Sequence, residues 1–166
     1  GVGRVEAKGL SLLSGTLRIG ASGQLLTGGW SQTGGQFLPQ ASTVTLWNLT
    51  APHAVTVQHL PGQPFANLAV GFGTNGIGYA RALGPLEVTG SVTLTTGAFD
   101  GGSYTHQVGG DWTEPGGPST MTGTLRLTYG KIEGSDVPGQ RFGAFTTFGG
   151  LWDRATGSAP FDVAPR

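Results

Sequence analysis

No stretch of this chain keeps a 3.6-residue apolar period beyond a single turn, and that absence restricts the fold more than any other feature. The one helix-like tetrad, Ala80-Arg81-Ala82-Leu83, is boxed in by Gly78 and Gly84. Apolar residues instead alternate over short runs, and 32 glycines and 10 prolines interrupt them. The clearest runs are Thr16–Ile19, Ser42–Leu49, Ala54–His59, Phe65–Phe72, Leu86–Thr95, Thr120–Thr128 and Arg141–Phe148. In Ser42–Leu49, Val44 and Leu46 face one way and Thr43, Thr45 and Trp47 the other, the period of two that a half-buried strand requires. Asn75-Gly76 reads as a hairpin turn with Ile77–Leu83 as its return strand. Ten to twelve such strands imply an all-β antiparallel β-sandwich or barrel.

One motif occurs twice. Pro61-Gly62-Gln63-Pro64-Phe65 returns about 77 positions later as Pro138-Gly139-Gln140-Arg141-Phe142. Pro-Gly presets a type II turn, with Pro fixing φ and Gly supplying φ > 0. Collinear with it, Gly15–Ile19 matches Gly90–Leu94, and Gly28-Gly29-Trp30 matches Gly109-Gly110-Asp111-Trp112. Thr43–Leu46 likewise matches Thr124–Leu127, and Pro85–Val88 matches Pro160–Val163. This pattern predicts a single pseudo-symmetric domain over residues 1–166: a lead-in 1–9, a first half 10–88 and a second half 89–163. A half of about 80 residues with few charges and no disulfide is marginal alone, so the halves are expected to pack intimately.

Charged residues make up 11% of the chain and the net charge is zero, which excludes the electrostatic footprint of a nucleic-acid binder. No cysteine is present, so thiolate metal sites and cysteine nucleophiles are excluded. There is no span of about 20 apolar residues. An eight-stranded membrane barrel needs strands of about 9–11 residues, longer than these broken runs. The chain begins at Gly1 without an apolar leader, which reads as a processed or trimmed form. Low Lys and Glu with abundant Gly, Thr and Gln points to a secreted, periplasmic or cell-surface location.

The chemistry-bearing residues gather in one region. Ile19 to Trp30 spans 11 residues but Leu94 to Trp112 spans 18, an apparent insertion of about seven. It brings Asp100, Tyr104, His106, Asp111, Trp112 and Glu114 close in sequence, a candidate ligand or partner site on a loop. Asp100 and Asp111 offer oxygen ligands to calcium without EF-type spacing. Trp47 and Trp152 lack counterparts in the other half and are candidates for stacking on sugars or a partner protein. His53, His59 and His106 are the only histidines and so the candidate ligands for a metal ion. His53 and His59 lie some ~20 Å apart if the strand between them is straight.

Catalytic templates fail. No nucleophile elbow or His-Glu-x-x-His is present. Nothing in the sequence sets two carboxyls face to face as a glycosidase requires. Gly71–Gly76 matches GxGxxG, but no helix pattern follows it. Asn48-Leu49-Thr50 is a glycosylation sequon.

The expectation is a non-catalytic structural or interaction β module of an extracellular or cell-envelope assembly, with self-association or a protein partner and no cofactor other than a candidate metal ion. The alternatives are a copper- or zinc-binding sandwich that detoxifies superoxide, and a carbohydrate or small-ligand binding module.

Overall fold

The computed structural model describes residues 3–48, 54–72, 78–116 and 119–129, together with the backbone of three further strands. Every strand pairing in it is parallel. The chain winds as a β-solenoid of stacked coils, not as the antiparallel sandwich or barrel that the sequence suggested.

The first coil lays down β1 (Arg4–Ala7), β2 (Leu10–Leu12) and β3 (Thr16–Arg18), one on each of three faces. The second repeats them as β4 (Gln24–Thr27), β5 (Trp30–Gln32) and β6 (Gln36–Leu38). The third carries β7 (Thr43–Asn48) and β8 (Ala54–Gln58), and the fourth β9 (Asn67–Phe72), β10 (Tyr79–Ala82) and β11 (Glu87–Val88). The fifth holds β12 (Val92–Thr96), β13 (Ala98–Gly102) and β14 (Thr105–Val108). Next come β15 (Trp112–Glu114) and β16 (Ser119–Leu127), whose first residues pair with β13 and last residues with β14. The backbone of β17 (Ile132–Gly134), β18 (Arg141–Thr147) and β19 (Asp162–Val163) continues the stack.

The first face is the sheet β1-β4-β7-β9-β12-β15-β17, and the second runs β2-β5-β8-β10-β13-β16. Parallel neighbours need a long crossover, and in a solenoid the other two faces of the coil serve as that crossover. The return distance shows in the register. Arg4 lies beside Gln24, Leu10 beside Trp30, Thr16 beside Gln36 and Val92 beside Trp112, a step of 20 residues in each case.

That step sets where the motifs matched in sequence fall in the coil. Thr43–Leu46 lies on the first face, whereas Thr124–Leu127 lies in the part of β16 that pairs with β14 on the third. Trp30 belongs to β5 on the second face, and Trp112 to β15 on the first. The members of these two matched pairs lie on different faces. The excess before Trp112 is about one extra face of the coil: Leu94 and Trp112 stand on the first face in successive coils, whereas Ile19 follows β3 on the third face and Trp30 lies on the second. The hairpin expected at Asn75-Gly76 is also corrected: β9 and β10 lie in different sheets, and β10 pairs in parallel with β8 and β13. Residues 73–77, which include that turn, fall outside the described residues, as does the second Pro-Gly-Gln.

Alternation fills the interior. On the first face Leu25, Val44, Leu68, Val92 and Trp112 stand in register, each 4% exposed or less. Burying each aliphatic member contributes roughly 1.5–3 kcal/mol. In the outward row beside them Thr45, Ala69, Thr93 and Thr113 are polar or small, with Leu26 the apolar member.

The corners are tight. A Cβ on Gly28 would overlap the carbonyl oxygen of Lys8, and one on Gly109 that of Thr89, each a coil earlier. Gly28 N–H donates to Ala7 C=O and Gly109 N–H to Val88 C=O. The bends therefore stack backbone on backbone, which only glycine permits at these points.

Candidate functional site

The third face lacks a regular strand in the third coil, and a side chain takes its place. The turn Leu60–Gln63 closes with Gln63 N–H on Leu60 C=O at 3.2 Å, and Gly62 sits at φ 74°. This geometry presents the Gln63 amide to the edge of the second coil. Its Oε1 accepts from Phe37 N–H at 2.6 Å and from Gln32 Nε2 at 2.9 Å, and its Nε2 donates to Gly35 C=O at 3.1 Å. Phe65 then resumes backbone pairing with the fourth coil and packs edge-on against Trp30, Phe37 and His59. Nothing in the sequence singled out Gln63 beyond its place in the repeated motif.

The six residues expected to form a loop site do not share a surface. Asp100 points outward from β13, where its Oδ2 takes the Arg81 Nε at 2.8 Å and its Oδ1 accepts from Gly102 N–H. Arg81 in turn lies 5.3 Å from the centre of the Tyr79 ring. Tyr104 is partly exposed at the corner before β14. Asp111 sits at the corner before β15, its N–H donating to Ser91 Oγ. His106, Trp112 and Glu114 point inward and are completely buried. The alternation that defines each strand sends neighbours to opposite sides, so sequence proximity does not make a pocket here.

The buried three are bound into the fold. Trp112 donates its indole N–H to Glu114 Oε1. Burial pushes the Glu114 carboxyl above its ordinary value, and hydrogen bonds from Ser119 and Trp112 oppose that rise. His106 Nε2 bonds Gly101 C=O at 2.8 Å and its Nδ1 accepts from Leu86 N–H at 3.2 Å. Burial lowers the pKa of His106, the Gly101 bond raises it, and the neighbouring His59 lowers it further.

His59 has the mirror arrangement, with Nδ1 on Leu60 C=O at 2.8 Å and Nε2 accepting from Glu87 N–H at 2.9 Å. A histidine that ligates a metal presents a free ring nitrogen. Both nitrogens of His59 and of His106 already hold backbone groups, and His53 lies outside the described residues. Among the described residues no three acidic, histidine or cysteine side chains gather as a metal site, so nothing there assembles the copper or zinc centre considered from sequence.

Trp47 stands half-buried on the outer side of the first face, with the Arg4 guanidinium 5.8 Å from its ring centre. Its partner candidate Trp152 lies outside the described residues. At the first coil a cleft of about 470 Å³ is lined by Val5, Leu17, Ile19 and Leu25, with Arg18 at its side. No helix among the described residues is long and apolar enough to cross a membrane.

Compared with known families, residues 116–166 match the Peptidase S46 family model. The match covers less than a third of the chain and starts just before β16. Neither the curated proteins nor the solved structures include a match to the chain.

Proposed function

We propose that this chain is a non-catalytic structural or interaction module, a β-solenoid that presents its flat sheets and its first coil to other proteins of an extracellular or cell-envelope assembly. One observation carries this reading: the side chains best suited to chemistry, His59, His106, Trp112 and Glu114, are engaged with backbone or with each other inside the coil stack. A hydrolase needs an activated nucleophile held against a base. The stretch similar to Peptidase S46 contains no histidine, and His106 has no free nitrogen to serve as that base.

The first coil supports an interaction role. β1, β2 and β3 pair with β4, β5 and β6, and an apolar cleft lies against this coil. Apolar patches are where chains associate. The composition, poor in charge and rich in Gly, fits an exported β protein.

The reading is tested by sedimentation of the purified chain across a hundredfold concentration range, with labelling by a serine-hydrolase probe on the same sample. Association that Leu17→Glu abolishes, with no labelling, is expected. A labelled serine, or a monomer at every concentration that also captures no envelope or matrix protein, would overturn it.

A second reading rests on the cleft itself. Its apolar lining beside Arg18 suits a small apolar or anionic ligand rather than a sugar. Thermal shifts against a fatty-acid panel, lost in Leu17→Asp, would favour it.

A further inference from the structure

His59 and His106 approach the same short segment from opposite sides. His59 belongs to the third coil, and its Nε2 accepts from Glu87 N–H. His106 belongs to the fifth coil, and its Nδ1 accepts from Leu86 N–H. Consecutive residues of a strand direct their backbone groups to opposite neighbours, so these two rings take amides on opposite sides of β11 and of the residue before it. The remaining bonds of the segment are ordinary ladder bonds: Phe65 N–H donates to Glu87 C=O, and Gln107 N–H to Leu86 C=O.

The donors settle both tautomers. A backbone N–H can only donate, so Nε2 of His59 and Nδ1 of His106 must be unprotonated acceptors. The other nitrogens then carry the proton, which is what their carbonyl partners Leu60 and Gly101 require. A second proton on either ring would set N–H against N–H at a buried site and leave an amide without an acceptor.

We propose that the two imidazoles form an acid-releasable latch: protonation of His59 and His106 frees the Leu86–Glu87 segment and opens the fourth coil. This goes beyond the proposed module role and does not depend on it. What opens is apolar. Leu86 is 1% exposed, Phe65 0% and Val88 3%.

Few other charges face the rings. From the third coil, His59 is bordered by Leu60 and Phe65, with no carboxylate partner among the described residues. From the fourth, the Glu87 carboxylate turns to Gly62 N–H. From β13, Asp100 turns outward to Arg81. Tyr104 stands 6.5 Å from His106, ring centre to ring centre, and Phe99 5.9 Å. Arg126 of β16 is exposed beside Gln107. Glu114 accepts from Trp112, which packs on Phe99.

The direction follows from proton counting. His106 has its pKa lowered in the fold, first by burial. The unfolded chain therefore takes up a proton below pH 6.5 that the fold refuses, and stability falls as pH drops through and below that value. His106 thereby shifts the closed-to-open ratio by up to about tenfold per pH unit.

The test is amide hydrogen exchange of the full chain by NMR at pH 7.5 and pH 5.0, corrected for intrinsic rates. Protection at Leu86 and Glu87 is expected to fall at least tenfold more than at Val44 and Leu46. The double variant His59→Gln/His106→Gln keeps a donor and an acceptor at each site but cannot titrate, and its protection should be flat. Equal protection loss at all four amides, or an unchanged acid response in the double variant, overturns the latch. Should that variant not fold, ¹⁵N shifts of the wild-type imidazoles decide the matter. Ring protonation that coincides with lost protection at Leu86 and Glu87 supports the latch, and ring protonation that leaves both amides protected refutes it.

Discussion

The indole N–H of Trp112 donates to the carboxyl Oε1 of Glu114 two residues along the same strand, and both side chains are fully buried. A period of two is the only spacing that sends both inward from β15. Because burial raises the Glu114 pKa, the fold holds a proton that the unfolded chain releases above about pH 4.5. Its contribution is present below that pH and is lost as pH rises through the folded value, opposite in direction to that of His106. Glu114→Gln keeps an acceptor for the indole without ionising. It is expected to flatten urea-denaturation stability above pH 4.5 and to be at least as stable at pH 7. Glu114→Ala strands the Trp112 N–H and is expected to cost about 2–3 kcal/mol.

Leu68 lies between Val44 and Val92 in the inward row of the first face. It is 1% exposed. Leu68→Ala should cost about 2–5 kcal/mol, the spread reflecting how far neighbouring coils collapse onto the cavity. Chemical denaturation measures it. Thr45→Ala, on the outward side of the adjacent strand, should change stability by less than about 0.5 kcal/mol.

Gln63 stands in for a missing strand at the edge of β6. Gln63→Ala leaves Phe37 N–H and Gly35 C=O without their partners. A cost of about 1–3 kcal/mol is expected. Exchange at the Phe37 amide should rise by at least tenfold while Leu46 stays protected.

Gly109→Ala forces a methyl into the Thr89 carbonyl, whereas a Cβ on Gly84 meets nothing within 4 Å. The first should lower the melting temperature by several degrees. The second should leave it unchanged or raise it slightly, since alanine restricts the unfolded chain. Equal effects would mean that the corners tolerate a side chain and that coil spacing is looser than the register implies.

The local pattern alone determined the strands and their inward residues. Thr43–Asn48, Ala54–Gln58 and Ser119–Leu127 all fall within a residue or two of the alternating runs, and Val44, Leu46, Leu125 and Leu127 point inward as alternation demands. Alternation is set by the backbone of one strand and holds whatever lies beside it. Pairing is different. An isolated strand offers the same N–H and C=O groups to a parallel or an antiparallel neighbour, so the choice depends on where the chain returns. Here it returns after about one coil, because glycines such as Gly28 and Gly109 let the corners stack without side chains. Only the tertiary structure decided that the chain is a parallel solenoid. The same geometry turned His106, Trp112 and Glu114 into the core while Asp100 and Tyr104 stayed near the surface, and set His59 and His106 on adjacent amides from coils more than 40 residues apart.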